Sequence, residues 1–256
     1  QGTSYFTGLN GNIEIDILNA MEFDASCLGN HEFDNGMDEL ARRLGNLNVP
    51  VVCANYSFKG SPLDGLVKPY VILEKAGKKI GIIGLLTDVT SVVDKDIAAQ
   101  LSYRNPAEAA NEYAKILKVD QRCDLVICLT HLGFDGEPYV DTELAAQTRN
   151  VDVIVGGHSH TMLKDLHSVY NLDGEPVTIV TDWKWGLNIG NLKVNFTPQR
   201  LYGKYLDLLP EKVFSYDGSW FPYPAYSDRA GWAEILGSNA DYLISVGEKY
   251  LNYKWR

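Results

Sequence analysis

Four of the chain's five histidines stand in three short motifs: Gly29-Asn30-His31-Glu32, Thr130-His131-Leu132-Gly133 and Gly156-Gly157-His158-Ser159-His160. Neutral imidazole is a common metal ligand, and its charge changes near physiological pH. Concentrated beside glycines, each time after an apolar run, these residues suggest a metal-dependent hydrolytic site assembled from distant segments. His158 and His160 are two residues apart, so an extended segment would place both on one side. They could then address two neighbouring ions roughly 3.5–4 Å apart. A Gly-rich loop with polar tips would give the same pattern. His131 ends a strand-like run, and a lone His there is more often a surface or capping residue. Asn30 and His31 are adjacent and should diverge, one coordinating through its amide oxygen while the other faces substrate. Asp34 lies three residues on and could accept from the His31 ring, fixing its tautomer. The alternative is an Asn-His turn that opens a helix, with Glu32 and Asp34 complementing its dipole. His167 stands apart and reads as a surface residue.

The elements that must position these residues alternate in type. Apolar spacing predicts helices over 11–23, 37–47, 106–119 and 142–148, with Asn105 as N-cap and Pro106 in the first turn of the third. Short apolar runs at 49–54, 79–86, 124–129, 151–155, 177–181 and 189–196 predict strands, and 25–28 is a shorter run of the same kind. Alternating strands and helices favour an α/β sheet covered on both faces. In such sheets ligands collect beyond the strand ends, where all three histidine motifs fall.

Bulk properties narrow the classes. A chain of 256 residues has room for one large α/β domain or a domain with an appendage. A net charge of -10 argues against nonspecific nucleic-acid binding. It also disfavours anionic substrates unless a metal or a local basic group offsets it. No stretch approaches the roughly 20 apolar residues of a membrane span. The four cysteines, Cys27, Cys53, Cys123 and Cys128, form no CxxC pair. Those at 53, 123 and 128 lie in apolar runs and read as small buried hydrophobes.

Taken together and in this order, the motifs resemble the calcineurin-like metallophosphoesterases, and within them the 5'-nucleotidase branch. The stretches that carry the resemblance are GNHEFDNG (29–36), VVCANY (51–56), CLTHLG (128–133) and VGGHSHT (155–161). It covers about residues 1–196. It implies a four-layer αββα sandwich with a dinuclear site at the strand ends. By position, Asn30, His131 and His158 would bind one divalent ion and His160 the other. Zn, Mn, Fe or Co would suit this donor chemistry. His31 would stabilise charge on the phosphoryl group, with Asp34 orienting it and Asn30 beside it at the substrate. A metal-bridging water would attack phosphorus. The implied substrate is a nucleotide or another phosphoester, and the implied location is periplasmic or extracellular.

The resemblance is incomplete. The family's Asp-x-His and Gly-Asp motifs, which supply further ligands and a bridging carboxylate, have no counterpart here, and Gln1-Gly2-Thr3 resembles the residues just after the family's Gly-Asp. The expectation is a metallophosphoesterase domain over 1–198 that lacks its first motifs, incomplete at its N-terminus. It would hold one metal or none and be weakly active or inactive. A short aromatic-rich tail over 199–256 would complete the chain. Of the chain's 28 aromatics, 13 lie in that tail. Residues 210–227, with Pro210, Pro222 and Pro224, read as a linker, and 230–253 as a helix. Trp220, Phe221 and Tyr223 could stack on a base or sugar but fit packing better. The alternatives are a cyclic phosphodiesterase or sugar-phosphate phosphatase of the same fold, and a binding module without the metal. Oligomeric state is not legible from these patterns.

Overall fold

The computed structural model describes residues 11–90, 93, 95–184 and 188–197, and the backbone of 211–220. Its larger sheet has six strands: β5 (Tyr70–Lys75), β6 (Lys78–Leu86), β8 (Leu125–His131), β9 (Val153–Gly156), β10 (His167–Tyr170) and β11 (Pro176–Thr181). Their order is β10-β11-β9-β8-β6-β5. The four central strands are parallel, and antiparallel β5 and β10 close the edges. A smaller parallel sheet joins β1 (Ser26–Cys27), β2 (Val51–Val52) and β4 (Val67–Lys68). A two-stranded pair joins β3 (Tyr56–Ser57) to β7 (Ser102–Tyr103).

Burial explains the layering. In β6, Ile83 and Leu85 share a core with Ala107, Ala109, Ala110 and Ala114 of α4 (Pro106–Lys115) and with Leu144 of α5 (Asp141–Gln147). The opposite face of β6 presents Gly84 and Leu86 to the smaller sheet, which carries a second core around Leu28, Val51, Leu40 and Leu44. Leu40 and Leu44 belong to α2 (Met37–Leu44), against which α1 (Asn12–Met21) packs. A short helix, α3, spans Lys95–Ala98. Helix, sheet, sheet and helix therefore succeed one another through the molecule, the αββα order that the resemblance implies.

Two residues stitch the sheets together. Asn55 is fully buried, and its side chain accepts from the N–H of Leu86 at 2.9 Å and donates to the same residue's carbonyl at 2.7 Å. Tyr56 donates its hydroxyl hydrogen to the Thr87 carbonyl and accepts from the Val89 N–H, each at 2.9 Å. Both lie in the VVCANY stretch.

Several elements differ from the sequence reading. Helix α4 is N-capped as expected, Asn105 Oδ1 accepting from the N–H groups of Ala107 and Glu108. At Ile116 it widens into a π-turn, Ile116–Asp120, closed by Gln121 N–H to the Ile116 carbonyl. Strand β8 runs through His131 rather than stopping before it. The segment read as a linker contains a strand, β13 (Glu211–Trp220), paired over its length with β12 (Asn188–Thr197). The prolines that suggested a loop flank that strand and do not interrupt it. The helix expected over 230–253 lies outside the described residues. Cys53, Cys123 and Cys128 are buried and free, as expected. His167 is exposed, its ring edge-on to Phe134.

Candidate functional site

The three histidine motifs meet in one cleft of about 260 Å³, lined by Cys27, Gly29, Asn30, His31, Glu32, His131, His158 and His160. Asn30 and His31 ride on a single 3-10 turn, Asn30–Phe33, directly after β1. Two contacts hold that turn. Glu32 folds its carboxylate back onto the Gly29 N–H at 2.7 Å. From behind, the fully buried guanidinium of Arg43 donates to the Glu32 carbonyl at 2.9 Å. Gly29 is required by the crowding: a Cβ there would lie 2.8 Å from Glu32 Oε2 and 2.9 Å from His131 Cε1.

His131 is the last residue of β8 and His158 comes two residues after Gly156, the last of β9, so the two adjacent parallel strands deliver them side by side. Their ring centroids are 4.7 Å apart and tilted by 53°. His131 Nε2 lies 2.8 Å from Asn30 Oδ1, which joins the first and second motifs across the cleft. His158 also faces Glu137, at 3.4 Å. The backbone of the third motif differs from the extended form expected. His158 and His160 both have positive φ, 77° and 56°, because the chain turns sharply after β9. Both nevertheless line the cleft. Asp34 lies outside the lining and reaches it through His31, whose Nδ1 is 2.9 Å from Asp34 Oδ2.

Burial controls the electrostatics. Desolvation, reinforced by the neighbouring histidines, drives the His131 pKa down to about 3, so its ring is neutral at physiological pH. Desolvation also lowers His158, against the raising influence of Glu137. Cys27 lines the same cleft, but burial, with Glu32 adding to it, pushes its thiol up to about 12. A protonated thiol is a poor nucleophile, which leaves Cys27 a packing role.

The donor set bears on the expected metals. Among the described residues no three His, Cys, Asp or Glu side chains gather as a metal-binding group. The convergent set is mixed and neutral: the Asn30 amide oxygen with the His131 and His158 imidazoles. Two ligands of one first-row ion lie roughly 3.0–3.4 Å apart when each bond is about 2.1 Å. The 2.8 Å separation of Asn30 Oδ1 and His131 Nε2 is close to that span. The set fits one such cation, for which both atoms would exchange their mutual hydrogen bond. For a second cation it offers His160; the Glu32 carboxylate also lines the cleft but is engaged by the Gly29 N–H, and Glu137 faces His158.

Sequence reasoning missed Glu32's backbone bond, Arg43, Glu137 and Asp141. Asp141, fully buried at the head of α5, accepts from Thr130 Oγ1 at 2.6 Å. An acidic residue in a first helical turn is ordinary, so no pattern singled it out. A buried arginine inside a periodic helix carries no signal at all. Glu137 had none either, lying in a loop between elements.

The chain is similar in sequence and fold to known proteins. A probable 5'-nucleotidase of Treponema pallidum is 34% identical over 210 residues, covering 76% of this chain and 35% of that protein. The 5'-nucleotidase of Bos taurus is 34% identical over 213 residues, covering 77% of this chain and 36% of that one. The crystal structure of a 5'-nucleotidase precursor from Thermus thermophilus superposes with a TM-score of 0.78 at 27% identity, over 98% of this chain and 47% of that one. The chain thus spans about a third to a half of the relatives it matches. The model of the calcineurin-like phosphoesterases matches residues 10–162, across all three histidine motifs, and the chain belongs to that family.

Proposed function

We propose that this chain carries phosphoester-binding and metal-binding residues of a metal-dependent nucleotide phosphomonoesterase. The observation that carries the reading is the convergence of Asn30, His31, His131, His158 and His160, from three distant segments, on one cleft. The names of the 5'-nucleotidase relatives support the choice of a nucleotide monoester as substrate.

In this reading Asn30, His131 and His158 hold one divalent ion, and His160 faces a second. Such ions, when bound, would polarise the phosphoryl group and acidify a water nucleophile. The residues of the chain do the rest. Neutral His131 and His158 offer lone pairs and no competing charge. His31 stands on the exposed side of the cleft, its Nδ1 engaged by Asp34. With both ring nitrogens protonated, Nε2 would donate to a phosphoryl oxygen and stabilise the charge that develops there. The 3-10 turn and its buried Arg43 anchor keep Asn30 and His31 facing different ways. Because Asn30, His131 and His158 are neutral donors, they would hold a cation weakly, and phosphate release would be slow.

Calorimetric titration with Mn²⁺ and Zn²⁺, followed by phosphate release from AMP, tests the reading. The expected result is weak binding of one ion per chain and slow, chelator-sensitive release of phosphate. No binding of either ion, with no hydrolysis, would replace the reading with that of a binding module on the same fold.

A further inference from the structure

We propose that Asp141 is a positioning residue, setting the placement of His131 relative to His158 by bridging Thr130 and Gly156 behind the ends of β8 and β9. The inference rests on the function proposed above, because it concerns the same two imidazoles.

The register of the strands makes the case. The ladder between β8 and β9 pairs Ile127 with Val153, Cys128 with Ile154 and Leu129 with Val155, and ends there. The next rung would join Thr130 to Gly156. At that level the Asp141 carboxyl takes over. Its Oδ1 accepts from Thr130 Oγ1 at 2.6 Å. Its Oδ2 packs so closely on Gly156 that a Cβ added to that glycine would fall onto it. The backbone N–H of Asp141 donates to the Gly133 carbonyl at 2.8 Å, which fixes the turn beyond β8 as well. His131 comes directly after Thr130, and Gly157-His158 directly after Gly156. Side chains alternate along a strand, so Thr130 meets the carboxyl on the helix side while His131 faces the cleft.

Two further observations fit a role beyond packing. Asp141 is fully buried, and among the described residues its Oδ2 has no hydrogen-bond partner. A group kept at that cost invites a functional explanation. Burial also raises its pKa to about 7.

Side-chain ¹H–¹⁵N spectra of the histidines, recorded on the full metal-free chain, test the proposal without reference to catalysis. Thr130→Val removes one hydroxyl at nearly constant volume. Asp141→Ala removes the bridge, and Asp141→Asn keeps an acceptor for Thr130. The expected result is displaced or broadened His131 and His158 resonances in T130V and D141A. D141N should restore the parent positions, with His31 undisturbed in all three. Melting temperatures that fall while the His131 and His158 signals stay in place would overturn the proposal and leave Asp141 a packing residue. Failure of the phosphoesterase reading would show separately, as absent metal binding by the parent chain.

Discussion

His31 and Asp34 form the most exposed pair of the site, with side chains 56% and 44% accessible. An exposed ion pair adds little to stability, so its use should lie in holding one imidazole nitrogen. His31→Ala should leave the melting temperature nearly unchanged and slow phosphate release from AMP about 100- to 1,000-fold, the cost of losing one donor to a developing charge. Asp34→Asn should slow it about 10-fold. Equal rates in H31A and the parent would remove His31 from the chemistry. Gly29→Ala belongs to the same scale. Its Cβ must displace either the Glu32 carboxylate or the His131 ring, both within 3 Å. Calorimetry should show at least about a 10-fold loss of Mn²⁺ affinity in that variant. Undiminished affinity would mean that the His131 ring is free to move aside.

At the scale of elements, α5 carries a titration with a definite sign. Burial raises the Asp141 pKa from 3.8 to about 7. On a rising pH scale the unfolded chain therefore releases this proton first. The stabilising contribution is complete below pH 3.8 and is lost as pH rises towards 7, on the order of 4 kcal/mol in all. Asp141→Asn has no such slope. Urea denaturation at about pH 5 and about pH 8, either side of the raised pKa, should show the variant gaining on the parent at the higher pH, and parallel profiles would contradict the burial argument. The elements themselves were largely legible in the sequence. Apolar runs at 79–86 and 124–129 are near-continuous because parallel strands are covered on both faces. The two-residue strands β3, β4 and β7 were not legible, since no periodicity fits in so short a span. Strand β5 was missed as well. It is only half-buried, so its apolar residues YVIL show no clean alternation. The positive φ values of His158 and His160 escaped too, because neither is a residue type that announces such a turn. The convergence of the site residues came from one rule, that parallel strands end on one side, whereas the residues buttressing them sit where ordinary helix positions would be.

For the whole molecule, the decisive contact is the seam between the sheets. At Gly84 the backbone of the smaller sheet comes so close that an added Cβ would overlap the Val52 carbonyl. The Ala54 N–H donates to the Gly84 carbonyl there, at 2.7 Å. Asn55 closes the same seam with both ends of its amide. Asn55→Ala would leave the N–H and the carbonyl of Leu86 without partners, and should cost about 2–5 kcal/mol, measurable as a lower urea midpoint. A stability within about 0.5 kcal/mol of the parent, the spread of ordinary surface substitutions, would show that the seam does not depend on it. Because His131 sits on one sheet and Asn30 comes just after a strand of the other, the seam also sets the width of the cleft.

The pairing of β12 with β13 carries a practical consequence for anyone dividing the chain. A cut at residue 198, where composition changes, falls between two strands joined over ten register pairs, from Asn188–Trp220 to Thr197–Glu211. Ending the polypeptide there would strip β12 of its partner and expose a bare row of amide and carbonyl groups on a strand whose Ile189 is already half exposed. Such an edge recruits other copies. The shortened form should elute as aggregates in size-exclusion chromatography where the chain carried through Trp220 does not.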